Sequence, residues 1–169
     1  MLIGIGGVSR AGKSTLADLL AKQYLSQNKS VAIFRQDEYP VDESQLPLIG
    51  DRRDWEIPQS IRHDLLWAVV QSSIANTEII IIEGLFAFYH ASLTEAMDKK
   101  MLVEISKSTF IKRKSIDLRW GSTPEPEWYV EHIWNQYLIH GLPPYHSTMY
   151  KVDGENYFNL IDIMRHLES

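Results

Sequence analysis

The chain alternates short apolar runs with longer segments whose apolar residues recur every three or four positions. Leu2, Ile3 and Ile5 form the first run and suit a buried parallel strand. Leu16, Leu19, Leu20 and Tyr24 then mark a helix from about Ser14. Val31-Ala32-Ile33-Phe34 reads as a second strand, and residues 41–58 as an irregular charged segment punctuated by Pro47, Gly50 and Pro58. Ile61, Leu65, Leu66, Val69, Val70 and Ile74 describe an amphipathic helix with a wide apolar face. Four isoleucines, Ile79 to Ile82, bounded by Glu78 and Glu83, suit a central strand covered on both faces. A short helix at 92–99, a strand at 101–105, a basic helix at 109–119, a Pro-rich loop at 120–127 and a helix at 128–139 follow. A fifth strand at 148–152 and a closing helix carrying Tyr157, Leu160, Ile161, Met164 and Leu167 complete the series. Strands alternating with helices predict an α/β fold, a five-stranded parallel sheet with helices on its faces. Ligands of such sheets sit at the carboxyl ends of the strands.

The residues at those ends carry the candidate chemistry. After the first strand comes Gly7-x-x-x-x-Gly12-Lys13-Ser14, a phosphate-binding loop made of Gly7, Val8, Ser9, Arg10, Ala11, Gly12, Lys13, Ser14 and Thr15. Its glycines let the backbone curl so that N–H groups face phosphates. Lys13 can reach the β- and γ-phosphates, Ser14 can ligate Mg²⁺, and the helix start adds its positive dipole. A dinucleotide loop is excluded, because G-x-G-x-x-G from Gly4 would need its third glycine at Ser9. Asp37, past the second strand, can accept a proton, hold Mg²⁺ or do both, or be part of a plain polar turn. Glu83, past the isoleucines, can ligate metal through water, or cap a helix or pair with a cation. Lys107, Lys112, Arg113, Lys114 and Arg119 put five basic residues into thirteen positions against one acid, Asp117. That run is either a solvated helix face or a lid that clamps phosphate, with Lys112 and Arg119 on one helix face. Trp55-Glu56 supplies a ring that could stack on a base beside an acceptor for ribose hydroxyls, although a tryptophan also serves packing. Trp120, Trp128, Tyr129 and Trp134 share that ambiguity.

Composition narrows the picture in a few places. At 169 residues the chain reads as one domain, 1–169. A net charge of −5 argues against a nucleic-acid binder. No cysteine means no disulfide, thiol catalysis or cysteine-held zinc, and the six histidines show no short metal-ligand spacing. No apolar run reaches membrane-spanning length and no signal-peptide pattern stands at the N-terminus, so a cytoplasmic location is expected.

Taken together, the segments resemble the nicotinamide riboside kinase and uridine kinase group of P-loop kinases along most of the chain. Gln36-Asp37-x-Tyr39 is similar to that group's Q-D-x-[FY], and Ile81-Ile82-Glu83-Gly84 to its I-I-E-G. Asp54-Trp55-Glu56-x-Pro58 resembles the D-W-D-x-P of the nicotinamide riboside branch, with Glu56 where the branch has Asp. Pro126-x-Trp128-Tyr129-x-x-His132-Ile133-Trp134-x-x-Tyr137 is similar to its P-G-Y-F-x-x-H-V-W-x-x-Y, with Glu127 in place of Gly. Asp153-Gly154 matches the D-G after its last strand.

The resemblance implies a P-loop kinase fold with a small helical lid, and transfer of the ATP γ-phosphate to the 5′-hydroxyl of a riboside. Nicotinamide riboside is the first expectation and uridine or cytidine the alternative. A nucleotide-binding regulatory protein is a third reading. Asp37 would be the proton acceptor, near Mg²⁺ and the ribose, and Ser14 the protein's other metal ligand. Trp55 would stack on the base, Glu56 would bind ribose hydroxyls, and Tyr39 and Trp120 complete the acceptor-binding set. Arg113 and Arg119 would serve the lid, with Lys13 and Glu83 catalytic, and Asp153-Gly154 beside the adenine. The expected partner is a small riboside, with neither nucleic acid nor membrane, in a monomer or homodimer.

Overall fold

A computed structural model describes residues 1–119, 121 and 123–169. Five parallel strands form the main sheet: β1 (Leu2–Gly6), β2 (Val31–Arg35), β5 (Ile79–Glu83), β6 (Lys99–Glu104) and β7 (Tyr150–Asp153), in the order β2-β5-β1-β6-β7. A separate antiparallel pair, β3 (Leu48–Ile49) with β4 (Arg52–Arg53), lies within the stretch expected to be irregular. That stretch is an excursion closed at its base. Pro40 bridges Ile61, and Val41 N–H and Arg62 N–H donate to Ser60 O and Tyr39 O.

Alternation along the strands divides the core into two layers, one on each face of the sheet. Ile3, Ile5, Ile79, Ile81, Met101, Val103 and Val152 face a layer closed by α1 (Lys13–Ser26), α4 (Lys107–Lys114), α5 (Glu127–Gln136) and α6 (Leu160–Glu168). Leu2, Ile80, Ile82 and Leu102 face α2 (His63–Ile74) and α3 (Ala91–Glu95). The four isoleucines thus serve both layers in turn, which is why the run carries no polar residue. On α2 only part of the expected apolar face is used: Leu66 and Val70 are buried, whereas Leu65 and Ile74 remain exposed.

Three boundaries differ from the pattern reading. The basic helix ends at Lys114 instead of reaching Arg119. Asp117 competes with it, its buried carboxylate accepting both the N–H and the guanidinium of Arg119 in a local turn. Lys112 and Arg119 therefore do not share a helix face. The short helix after β5 is five residues, and Lys99 already belongs to β6. Beyond Gln136, α5 widens into a π-type turn over Tyr137–Gly141. Among the described residues no helix is long and apolar enough to cross a membrane.

Gly84, directly after β5, shows how tightly the strand ends are packed. A Cβ there would overlap the side chain of Gln36, meeting its Oε1 and standing 2.5 Å from its Cβ. Gly84→Ala should cost about 1–3 kcal/mol and lower Tm by roughly 2–10 °C. Calorimetry on the purified variant checks it; an unchanged Tm would mean that Gln36 can move aside freely.

Candidate active site

The phosphate loop leaves β1 through Gly7, whose φ of 148° and position against Val103 O (2.5 Å from a notional Cβ) leave no place for a side chain. The loop enters α1 at Gly12, φ 105°. In the first turn of α1 the N–H groups of Lys13, Ser14 and Thr15 have no backbone acceptor among the described residues and point out of the helix start. Arg10 adopts the left-handed conformation, φ 65°, which costs a non-glycine residue about 1–3 kcal/mol. Arg113 offsets this by donating to Arg10 O at 3.0 Å and to Gly154 O at 2.8 Å.

Lys13 folds back so that its Nζ donates to Val8 O at 3.1 Å. Burial lowers the pKa of its ammonium, the charges of Glu83, Asp37 and Glu56 raise it, and Arg119 lowers it. Lys13 therefore stands where carboxylates from three separate segments converge. Glu83, level with Ile5 and Arg35 in the sheet register, is buried and accepts from Ser14 Oγ at 2.7 Å. Arg35, which the sequence reading passed over, holds Glu83 from the other side at 3.8 Å and Asp18 at 2.6 Å. Asp37 lies in a short helical turn over Gln36–Glu38, exposed at the rim, and its charge acts on both Lys13 and Arg119.

A second cluster is built from the excursion after β2. Asp54 is buried, accepts from Glu56 N–H at 3.1 Å and pairs with His132 of α5 at 2.9 Å. Glu56 is pushed up to about 7, chiefly by burial, with Asp54 adding to the rise and Lys114, His132 and the phenol of Tyr129 opposing it. Tyr129 donates to Glu56 from 3.4 Å, and Trp55 is 38% exposed. Tyr39 is half-buried against the α2-side core. Trp120 lies outside the described residues.

Described residues between α4 and α5 contact this arrangement at several points. Arg52 binds Glu125, which fastens the connecting loop to the β3–β4 pair. Asp117 gathers three cations: Arg119 through paired bonds of 2.8–3.1 Å, Lys114 at 3.6 Å and Arg10 of the phosphate loop at 3.8 Å. Hydrogen bonds and charge from Arg119, helped by Lys114, hold its carboxyl well below the usual range against the opposing effect of burial. Arg113, grouped with Arg119 from the basic run, instead ties the phosphate loop to Gly154. Gly154 in turn lies against Ala11 O, and Asp153 closes a tight turn by accepting from Glu155 N–H at 2.7 Å.

With this geometry in view, comparison places the chain among known proteins. It is 24% identical over 156 residues to nicotinamide riboside kinase 1 of Rattus norvegicus, covering 82% of this chain and 77% of that protein. It is 27% identical over 141 residues to a uridine kinase of Brevibacillus brevis, covering 69% and 65%. The chain resembles P-loop kinases of the nicotinamide riboside and uridine kinase type. No protein-family model matches it. The fold of this kinase is also that of a deoxyadenosine kinase from M. mycoides, solved with bound dATP, at a TM-score of 0.60, 18% identity and full coverage of both chains.

Several residues that shape the kinase site gave no local signal in the sequence. Lys114 and Asp117 were visible only as members of a charged run, yet both are buried. His132 and Asp54 each stood in a segment that carries the family resemblance, but nothing in either segment announced that they pair, 78 residues apart.

Proposed function

We propose that this kinase transfers the γ-phosphate of ATP to the 5′-hydroxyl of a riboside, with nicotinamide riboside the preferred acceptor. One observation carries the reading: Asp37 stands just past β2 on the same sheet rim as Lys13 of the phosphate loop, where Ser14 bonds the strand-end acid Glu83 at 2.7 Å. A hydroxyl held between Asp37 and Lys13 lies between a proton acceptor and a phosphate-binding cation, as phosphoryl transfer requires. The residues present fit Mg²⁺ and a nucleotide. The unpaired N–H groups of the α1 start suit phosphate oxygens. Ser14 and Glu83 offer oxygen donors, and Mg²⁺ takes few protein ligands beside phosphate and water. Bound there, the ion would neutralise charge on the β- and γ-oxygens.

The roles of the chain's own groups follow. Lys13 holds the phosphates and Asp37 takes the hydroxyl proton. Arg119 lies within electrostatic reach of both Lys13 and Asp37. Arg113 braces the loop on the adenine side, where Asp153 and Gly154 sit. The half-exposed ring of Trp55 offers a flat face to the base, and Glu56 receives ribose hydroxyls. A cationic pyridinium ring suits this pocket better than a neutral pyrimidine, because Asp54 and Glu56 flank the tryptophan and cations also favour its face.

ADP release measured with ATP, Mg²⁺ and a panel of ribosides tests the proposal. Nicotinamide riboside should raise turnover at least about tenfold above the water background and more than uridine or cytidine does. Preference for a pyrimidine riboside would reassign the kinase to uridine. No stimulation by any riboside would sink the acceptor assignment.

A further inference from the structure

Gln36, 1% exposed, pairs with both backbone groups of Phe86: its Nε2 donates to Phe86 O at 2.9 Å and its Oε1 accepts from Phe86 N–H at 2.8 Å. Those two bonds fix which end of the amide is which. The other Nε2 hydrogen faces Nδ1 of His63 at 3.5 Å. A nitrogen that faces an N–H must accept, so the imidazole proton sits on Nε2. From there it donates to Pro58 O at 2.9 Å. The result is one polar chain, Phe86–Gln36–His63–Pro58, running donor to acceptor through the base of the crevice.

Three of the four members lie within three residues of a site residue in the sequence. Gln36 precedes Asp37, Phe86 is the third residue after Glu83, and Pro58 is the second after Glu56. The chain therefore ties together three segments beyond the ends of the β2–β5 pairing: the Asp37 turn, the loop after Glu83, and the excursion after β2. We propose that Gln36 and His63 are positioning residues for phosphoryl transfer, setting where Asp37 stands relative to Glu83 and the acceptor loop. The proposal rests on the kinase reading above.

It also makes the arrangement depend on a neutral imidazole. Protonated His63 would carry hydrogens on both nitrogens and would oppose the Gln36 amide N–H₂ with its own N–H. Burial lowers the His63 pKa. The nearby His90 lowers it further, while the bond to Pro58 and the charge of Asp64 raise it. Tyr89 packs on the ring at 5.0 Å and His90 stacks at 6.5 Å. Because the folded value is below the unfolded 6.5, the stabilisation is fully present above that pH. It is lost as pH falls through the folded value.

Gln36→Met keeps length and volume but removes all three bonds. In the full chain, with ATP, Mg²⁺ and the riboside that turns over fastest, it should lower kcat about tenfold or more, since small displacements of a reacting group are costly. KM for ATP should stay within about twofold, because the phosphate loop is untouched. His63→Phe should lower kcat similarly and remove the acid limb that His63 contributes to the kcat–pH profile. His63→Asn, which keeps an acceptor facing Gln36, should recover part of the loss. The double variant Gln36→Met/His63→Phe should be no worse than the worse single one.

Unchanged kcat in Gln36→Met, additive losses in the double variant, or equal losses in kcat and ATP affinity would each overturn the proposal. If Gln36→Met does not fold, His63→Phe against His63→Asn carries the same decision. If the wild type phosphorylates no riboside, the kinase reading falls separately and ¹⁵N NMR of His63 decides. A neutral Nε2–H ring whose pKa rises in Gln36→Met supports the polar chain, and a ring indifferent to that change refutes it.

Discussion

Asp37→Asn should lower riboside phosphorylation by about 10²–10⁴-fold while leaving the fold intact. Asparagine has the same shape and is exposed at the rim, so neither packing nor the Gln36–Phe86 bonds are disturbed. What disappears is the capacity to accept a proton from the attacking hydroxyl, along with one of the charges that act on Lys13. Two contributions are separable by titrating Mg²⁺. If Asp37 serves chiefly as proton acceptor, the variant keeps the wild-type metal dependence and loses kcat. If it serves chiefly as a metal ligand, half-saturating Mg²⁺ rises and excess metal recovers much of the rate. Near-normal turnover at ordinary Mg²⁺ would remove Asp37 from both roles, and Glu83, already bonded to Ser14, would be the remaining strand-end acid.

The sheet and the phosphate loop were legible because their signals are local. Four consecutive isoleucines can only be a strand used on both faces, and two glycines before Lys-Ser dictate a curled backbone whatever surrounds it. The acids at strand ends were legible for the same reason, since topology sends every parallel strand's carboxyl end to one rim. The lid was less so. Charge spacing put Lys112 and Arg119 on one helix, but Asp117 captures Arg119 within two residues and takes the backbone out of helical register. A buried acid that draws in three cations, one of them from the phosphate loop, is a tertiary fact that no window of neighbouring residues contains. The pairings Gln36–Phe86 and Asp54–His132 span 50 and 78 residues, and so were equally beyond local pattern.

The same long-range contacts explain how one small chain can hold a donor and an acceptor site apart. Arg113 braces the phosphate loop against Gly154. His132, Tyr129 and Glu125 of the lid hold the acceptor excursion through Asp54, Glu56 and Arg52. The lid thus touches both halves. A nucleotide that drew Arg119 toward its phosphates would have to compete with the cation set that Asp117 gathers, which would couple phosphate binding to the segment between α4 and α5. Such coupling would favour transfer to the acceptor over transfer to water.

Lys13→Met should reduce kcat/KM for ATP by about 10²–10³-fold or more, the scale for losing a preorganised group at developing charge. Methionine keeps an unbranched stem of similar reach, so the loss is that of the ammonium and its bond to Val8 O. The wild-type ammonium is held between opposing influences: burial and Arg119 disfavour its charge, whereas Glu83, Asp37 and Glu56 favour it. Removing it takes a nearby counter-charge away from Glu56, whose carboxyl then becomes harder to ionise. Glu56, already pushed up to about 7, should move higher still. The residual activity of the variant should therefore show its acid limb displaced to higher pH, which a simple loss of phosphate affinity would not produce. Lys13→Arg should not restore the wild type, because a planar guanidinium cannot occupy the space where a compact ammonium bonds the loop carbonyl. A variant with reduced rate but an unmoved pH profile would show that Lys13 meets phosphate without linking the two halves of the site.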